Sequence, residues 1–319
     1  MINDMLLITT VSIPLDPEDP MSQTSPTETR AAAPSADFVT FGAVHLDITD
    51  AGQSLAFWRD RVGLQLRGQD ADGALHLGTD EETLLVLHPG ATSPARRGHA
   101  GLYHLAIHLP DEGEFARVLA RLFDRRTFMS PTDHVFSKAI YLDDPDGLGL
   151  EFTLETPERL RSVRMTPMGP EVIDASGQRR SGRDPLDVRA VLSHLPDNDL
   201  DRPLPLGTRI GHMHLHVGEI AGNRRFYEND LGFILANDFG SGVDFHANGR
   251  FKHRMAINTW QGTGVTQPPA GTAGLRHFTI RFDTPQRLQG ALERVDRSQP
   301  HADGHLVHDP AGNAIVLAS

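Results

Sequence analysis

The feature that most constrains this chain is that it repeats itself. Gly42-Ala43-Val44-His45-Leu46-Asp47-Ile48 lines up with Gly211-His212-Met213-His214-Leu215-His216-Val217. In both stretches an aromatic pair follows fifteen residues after the first glycine, as Phe57-Trp58 and Phe226-Tyr227, and another glycine comes at Gly63 and Gly232. A second pair is Gly101-Leu102-Tyr103-His104-Leu105-Ala106-Ile107 and Gly274-Leu275-Arg276-His277-Phe278-Thr279-Ile280. Each of these leads to an Asp-Pro-x-Gly turn, Asp144 to Gly147 and Asp309 to Gly312. Repetition of this kind marks a supersecondary unit that buries its apolar face against other copies of itself.

Apolar periodicity gives the unit its content. Ala43 to Ile48 alternates as a strand, and Ser54 to Val62 carries Leu55, Trp58 and Val62 at helical spacing until Gly63 stops it. Strand-like segments follow at Leu64–Arg67, Ala74–Leu77 and Thr83–Leu87. Residues 101–154 repeat the order, with a strand at Tyr103–His108, a helix at Glu112–Leu122 and strands at Lys138–Leu142 and Leu150–Leu154. Units three (209–260) and four (274–318) do likewise. The expected fold class is α+β, with four βαβββ modules in tandem. The expected division is a disordered leader over 1–36, a first two-module domain over 37–155, a linker over 156–206 and a second two-module domain over 207–319. The linker is rich in Pro, Gly and charge and holds one short helix, Pro185–Leu195.

Composition narrows the chemistry. A formal net charge of −12 repels phosphate backbones, so nucleic acid is not an expected partner. With no cysteine, disulfides, thiolate metal sites, iron–sulfur clusters and cysteine nucleophiles are excluded. A metal would have to be held by His, Asp or Glu, and the chain has 17 histidines to draw on. No apolar run approaches the roughly 18 residues of a membrane helix. Met1 to Val11 lacks a basic leading region and carries Asp4, which makes it a poor secretory signal, and Met21 is an alternative start. A cytoplasmic protein is the expectation.

The Gly211-His212-x-x-Leu215-x-Val217 strand, the Phe226-Tyr227 helix with Leu231-Gly232-Phe233, and the Asp144-Pro145-Asp146-Gly147-x-x-x-Glu151 turn together resemble the vicinal oxygen chelate superfamily, which includes glyoxalase I, fosfomycin-resistance proteins and extradiol dioxygenases. The resemblance covers about residues 40–155 and 208–318. Gly101-Leu102-Tyr103-His104, the Gly211–Val217 strand and Asn258-Thr259-Trp260 resemble more narrowly its bacterial catechol 2,3-dioxygenase branch. The resemblance implies modules paired into two U-shaped sheets. One module supplies an early His to a metal, and its partner supplies a first-strand His and a last-strand Glu. Two imidazoles and a carboxylate on one face suit Fe(II), or alternatively Mn(II), with positions left for substrate and dioxygen.

Mapped onto the four modules, the early His position is Ala43 in module one and His212 in module three. The partner His is His104 in module two and His277 in module four. The carboxylate is Glu151 in module two, where module four has Val316. Modules one and two lack the early His and modules three and four lack the carboxylate, whereas modules two and three supply His212, His104 and Glu151. These two modules are therefore expected to share a groove, within one chain or across a dimer. Two alternatives stay open: His45, on the same strand face as Ala43, as partner to His104 and Glu151, and a slip from His212 to His214.

Beyond the ligands, His253 matches an acid–base position of extradiol enzymes, Tyr141 a position that bonds a catecholic oxygen, and His134 an Asp-His motif of the family. The implied reaction is opening of a small aromatic diol by dioxygen beside its two hydroxyls, for catechol or hydroquinone alike. Two rivals are a glyoxalase-type isomerase or lyase, which wants a second carboxylate, and a metal-free binding module of the bleomycin-resistance kind. Arg250, Lys252 and Arg254 are either a contact for an acidic ring substituent or a solvated strand edge. A homo-oligomer is compatible with all of this.

Overall fold

The computed structural model describes residues 36–166 and 169–319. The expected leader lies outside the described residues except for Ala36. All four modules have the βαβββ order. Module one runs from the strand Val39–Ile48 to Thr83–Pro89, module two from Gly101–His108 to Gly149–Glu155, module three from Arg209–His216 to Met255–Asn258, and module four from Gly274–Phe282 to Ala314–Ala318. Helices begin where a side chain can satisfy a free backbone N–H. Asp50 accepts from Gln53 N at 2.9 Å, and Asp111 from Glu114 N at 2.9 Å. In modules one and three the helix widens to a π-turn at the repeated aromatic pair, over Phe57–Val62 and Phe226–Asp230. The helix of module two runs to Asp124, two residues past its expected end.

The strands form two large mixed sheets rather than two consecutive domains. Modules two and three, with Asp184–Pro185 as the ninth strand, make a nine-stranded sheet, and modules one and four an eight-stranded sheet. In each, the first strands of the two modules pair antiparallel at the centre, Gly101–His108 against Arg209–His216 and Val39–Ile48 against Gly274–Phe282. The described residues form one compact unit. The expected division at 37–155 and 207–319 is corrected accordingly. Each module's open sheet edge needs a partner strand, and the partner comes from the other half of the chain. The core is the apolar face of both sheets with the helices packed on it, including the fully buried Trp58, Phe115, Phe152, Tyr227, Phe245 and Phe278.

The stretch between the halves is also more structured than the expected linker. Leu160–Thr166, Gly169–Asp174 and Arg179–Arg180 form a three-stranded sheet, and Asp184–Pro185 pairs with Ser130–Asp133 at the edge of the nine-stranded sheet. The helix is only Val188–Leu192, capped by Asp187. Two buried arginines of module two hold the segment between this helix and module three. Arg117 binds Asp197 at 2.6 Å and Asp199 O at 2.6 Å, and Arg121 binds the carbonyls of Leu200 at 2.6 Å, Val62 at 2.8 Å and Arg202. A buried guanidinium is costly unless its donors are used, and here they fix the path of the chain.

Candidate metal centre

Ala106 is the middle of the site. It pairs with Glu151 on one side, in parallel, and with His212 on the other, antiparallel. Side chains alternate along a strand, so His104, two residues earlier, shares the face of Ala106. Three strands thus deliver His104, Glu151 and His212 around one small side chain. The strand of Glu151 is launched by the Asp-Pro turn. Asp144 accepts from the backbone N–H of Asp146 at 2.9 Å and of Leu148 at 2.8 Å, and Gly147 supplies the left-handed residue at φ 81°.

His104 Nε2 lies 3.1 Å from His212 Nε2 and 3.1 Å from Glu151 Oε2, and His212 Nε2 lies 3.2 Å from Glu151 Oε2. An octahedron with bonds of ~2.1 Å has face edges of ~3.0 Å, so the three donors fit one face of a divalent cation's shell. All three residues are buried within one chain. Burial pushes both imidazoles well below their ordinary pKa, which keeps them neutral and able to ligate. Thr153 Oγ1 donates to the other carboxylate oxygen, Glu151 Oε1, at 2.7 Å. A second trio, His104, His214 and His253, also brings three ligand atoms within 4.8 Å of one another. It shares His104 and has no carboxylate, and Asn258 Nδ2 already donates to His214 Nε2 at 2.8 Å.

The trio opens into a cavity of about 760 Å³. His134 and Tyr141 both line it. Gly182 O accepts from His134 Nδ1–H at 2.6 Å, so His134 Nε2 is left as the acceptor of the Tyr141 O–H at 2.8 Å. Burial, and then the nearby charge of Glu151, push the Tyr141 phenol well above its ordinary pKa. Next to His134, the buried Val135 sits at φ 73°, a strained conformation for a β-branched residue. It is held there by Asp133 Oδ1, which accepts from Val135 N at 2.8 Å, and by Thr156 Oγ1, which donates to Val135 O at 2.9 Å.

His253 precedes the strand Met255–Asn258 instead of lying on it, and its ring faces the cavity. Burial would lower its pKa, but Asp244, 3.1 Å from Nδ1, outweighs that and holds the ring above its ordinary value. His45 belongs to the other sheet. It contacts His88 at 2.9 Å and stacks on His277 at 3.9 Å, so it is not a partner of His104 and Glu151. Arg254 is buried against Asp37 and Glu155, and Lys252 donates to Gly249 O. Neither lines the cavity, nor does Arg250. Among the described residues, the Arg that lines it is Arg183, which lies 5.7 Å over the Trp260 ring.

A family model, Glyoxalase/Bleomycin resistance protein/Dioxygenase superfamily, matches residues 41–152. A catechol-2,3-dioxygenase of Bacillus subtilis (strain 168) is 30% identical over 282 residues, spanning 86% of this chain and 95% of that relative. The chain belongs to this superfamily. Solved structures agree on the fold. A candidate dioxygenase from Bacillus subtilis subsp. subtilis str. 168 has a TM-score of 0.55 at 14% identity, over 88% of this chain and 85% of that one. Glyoxalase I from Zea mays has a TM-score of 0.51 at 15% identity, over 88% of this chain and 92% of that one.

Tyr103, to which the Gly101–His104 motif assigns no role, and several residues outside the motifs also stand at the site. Tyr103 packs against the rings of His104, His214, His216 and Trp260 at 4.7–5.4 Å. Val163, Val172, Gly182 and Arg183 come from the stretch read as linker. His108 and Glu155 stand behind His212. Four-residue spacing on a strand, from His104 to His108, is a weak signal for the last pair. For the linker residues the sequence carries no periodic signal.

Proposed function

We propose that this protein is an Fe(II)-dependent extradiol dioxygenase, with Mn(II) as the alternative metal, that cleaves a catechol-type aromatic diol with dioxygen. His104, Glu151 and His212 would hold the metal. The observation that carries the reading is the triangle of 3.1, 3.1 and 3.2 Å at the base of a 760 Å³ cavity. It is supported by the 30% identity to a protein named catechol-2,3-dioxygenase. A bound metal of this kind acidifies a chelating diol and supplies the electron transfer to dioxygen.

The remaining steps fall to the chain's own groups. Phe136, Phe239, Val243 and Ile257 give the cavity apolar walls that exclude water from the ring. Because the Tyr141 O–H is directed to His134 Nε2, the phenol oxygen keeps its lone pairs for a diol hydroxyl. His253 Nδ1 faces Asp244, which leaves Nε2 to hold or pass a proton in the cavity. The glyoxalase-type alternative lacks support at the last strand of module three, Met255–Asn258, which carries no carboxylate.

The test is anaerobic loading with Fe(II), or with Mn(II), followed by oxygen uptake with catechol and substituted catechols. Stoichiometric uptake with a yellow ring-opened product is expected. Absence of uptake with either metal overturns the proposal. Isomerase activity with Ni(II) or Zn(II) favours the glyoxalase type, and tight ligand binding without metal favours a resistance-type binder.

A further inference from the structure

We propose that His108 is a positioning residue that sets the tautomer of His212 and so prepares Nε2 of His212 for the metal. The inference rests on the reading of His104, Glu151 and His212 as ligands.

His212 presents Nε2 to His104 and Glu151, while its other nitrogen, Nδ1, lies 2.8 Å from His108 Nε2. His108 Nδ1 in turn lies 2.8 Å from Glu155 Oε1. Glu155 is held as a carboxylate by Arg209 at 2.6 Å and Arg254 at 2.7 Å. A carboxylate only accepts, and a neutral imidazole has one donor and one acceptor. His108 must therefore carry its proton on Nδ1, which makes its Nε2 the acceptor. His212 must then carry its proton on Nδ1, and its Nε2 lone pair is left pointing at the centre. The tautomer of one ligand is thus dictated by an ion cluster outside the site. Metal-bound histidines commonly give their second N–H to a carboxylate directly; here a second imidazole is interposed.

The fold makes room for this wire. Gly211 has no partner opposite it where the register slips between Ile210 and His212. A Cβ on Gly211 would stand 2.0 Å from His108 Cδ2, so only glycine admits the ring there. Phe251 meets His108 edge-on at 5.1 Å, and Arg254 lies 4.8 Å over Phe251. Asp37 ties Arg254 from its other side at 2.9 Å. His104 has no such support, since its Nδ1 is buried without a partner among the described residues. In module four the position equivalent to His108, four residues after His277, is Arg281, paired to Glu82.

The experiment uses the full chain freed of metal. Long-range ¹H–¹⁵N NMR is expected to show His212 protonated on Nδ1 and bare on Nε2. Titration with Mn(II) is expected to show a loss of roughly 10–100-fold in affinity for His108→Phe, which keeps a ring but cannot accept. His108→Gln, whose carbonyl can accept from His212 Nδ1–H, should recover part of it. A proton on Nε2 of His212 in the wild type overturns the proposal and needs no variant to fold. Wild-type affinity in a folded His108→Phe also overturns it. His212→Ala separates the two readings. If it binds Mn(II) like the wild type, the ligand assignment has failed; if it loses Mn(II) while His108→Phe keeps it, only the relay has failed.

Discussion

The two sheets are one design with two outcomes. Both place the same module strands at the centre, and both set a histidine opposite a histidine, His104 opposite His214 and His277 opposite His45. In the inner sheet, of modules two and three, the next positions carry His212 and Glu151. In the outer sheet, of modules one and four, they carry Ala43 and the fully buried Val316. With no carboxylate to gather them, the outer imidazoles turn to each other, His45 stacking on His277 and touching His88. The backbone therefore supplies positions, and a few side chains decide whether those positions make a cation site.

The largest effect should come from the triad itself. His104→Ala, His212→Ala and Glu151→Ala are each expected to reduce metal stoichiometry and oxygen uptake to background, a loss of at least ~100-fold, since removing a ligand exceeds the cost of removing its support. His277→Ala should keep most of both. Metal analysis and an oxygen electrode read this directly, and equal losses from the outer variant would break the contrast between the sheets.

Next in size, Tyr141→Phe and His134→Ala should lower kcat by about 100-fold while leaving bound metal in place, because they handle protons and substrate, not the cation. Loss of metal in either variant would move them into the ligand set.

Arg121→Leu tests the excursion that only the inner sheet possesses. It strips the donors from the carbonyls of Val62, Leu200 and Arg202 and should lower unfolding free energy by about 2–4 kcal/mol. Denaturant titration measures it, and an unchanged midpoint would show that the linker path does not depend on this anchor.

The smallest effect is on the outer cluster's response to acid. Burial first, and then the neighbouring imidazoles, lower His45 to about 3 and His277 to about 4. In the unfolded chain both take a proton near 6.5, so between that pH and their folded values the unfolded state binds more protons. Stability is expected to be full above pH 6.5 and to fall as the pH drops below it. His45→Leu or His277→Leu should make that fall shallower. Unfolding midpoints measured from pH 7 to pH 4 would reveal it, and a slope untouched by both variants would mean that the outer rings are not the groups being protonated.

Several parts of this molecule are legible in the sequence. The βαβββ order comes from short-range periodicity. Ala43 at the early-His position of module one and Val316 at the carboxylate position of module four direct the proposed ligand set to modules two and three. The domain division is not legible, because a sheet edge is closed by whichever strand reaches it and both domain-like sheets draw on distant halves. The linker escapes because its order comes from outside, from Arg117, Arg121 and the edge strand Ser130–Asp133, while its own composition is that of a loop.

The amino-acid sequence by itself determined the four modules, the donor types available for a metal and the superfamily. Tertiary structure alone decided that modules one and four close a second sheet, that His45 belongs to that other cluster, and which nitrogen of His212 faces the centre. The reason is range. Periodicity is written between neighbours a few residues apart, whereas His108 and His212 are separated by 104 positions, and a hydrogen bond across that distance exists only once the two strands have paired.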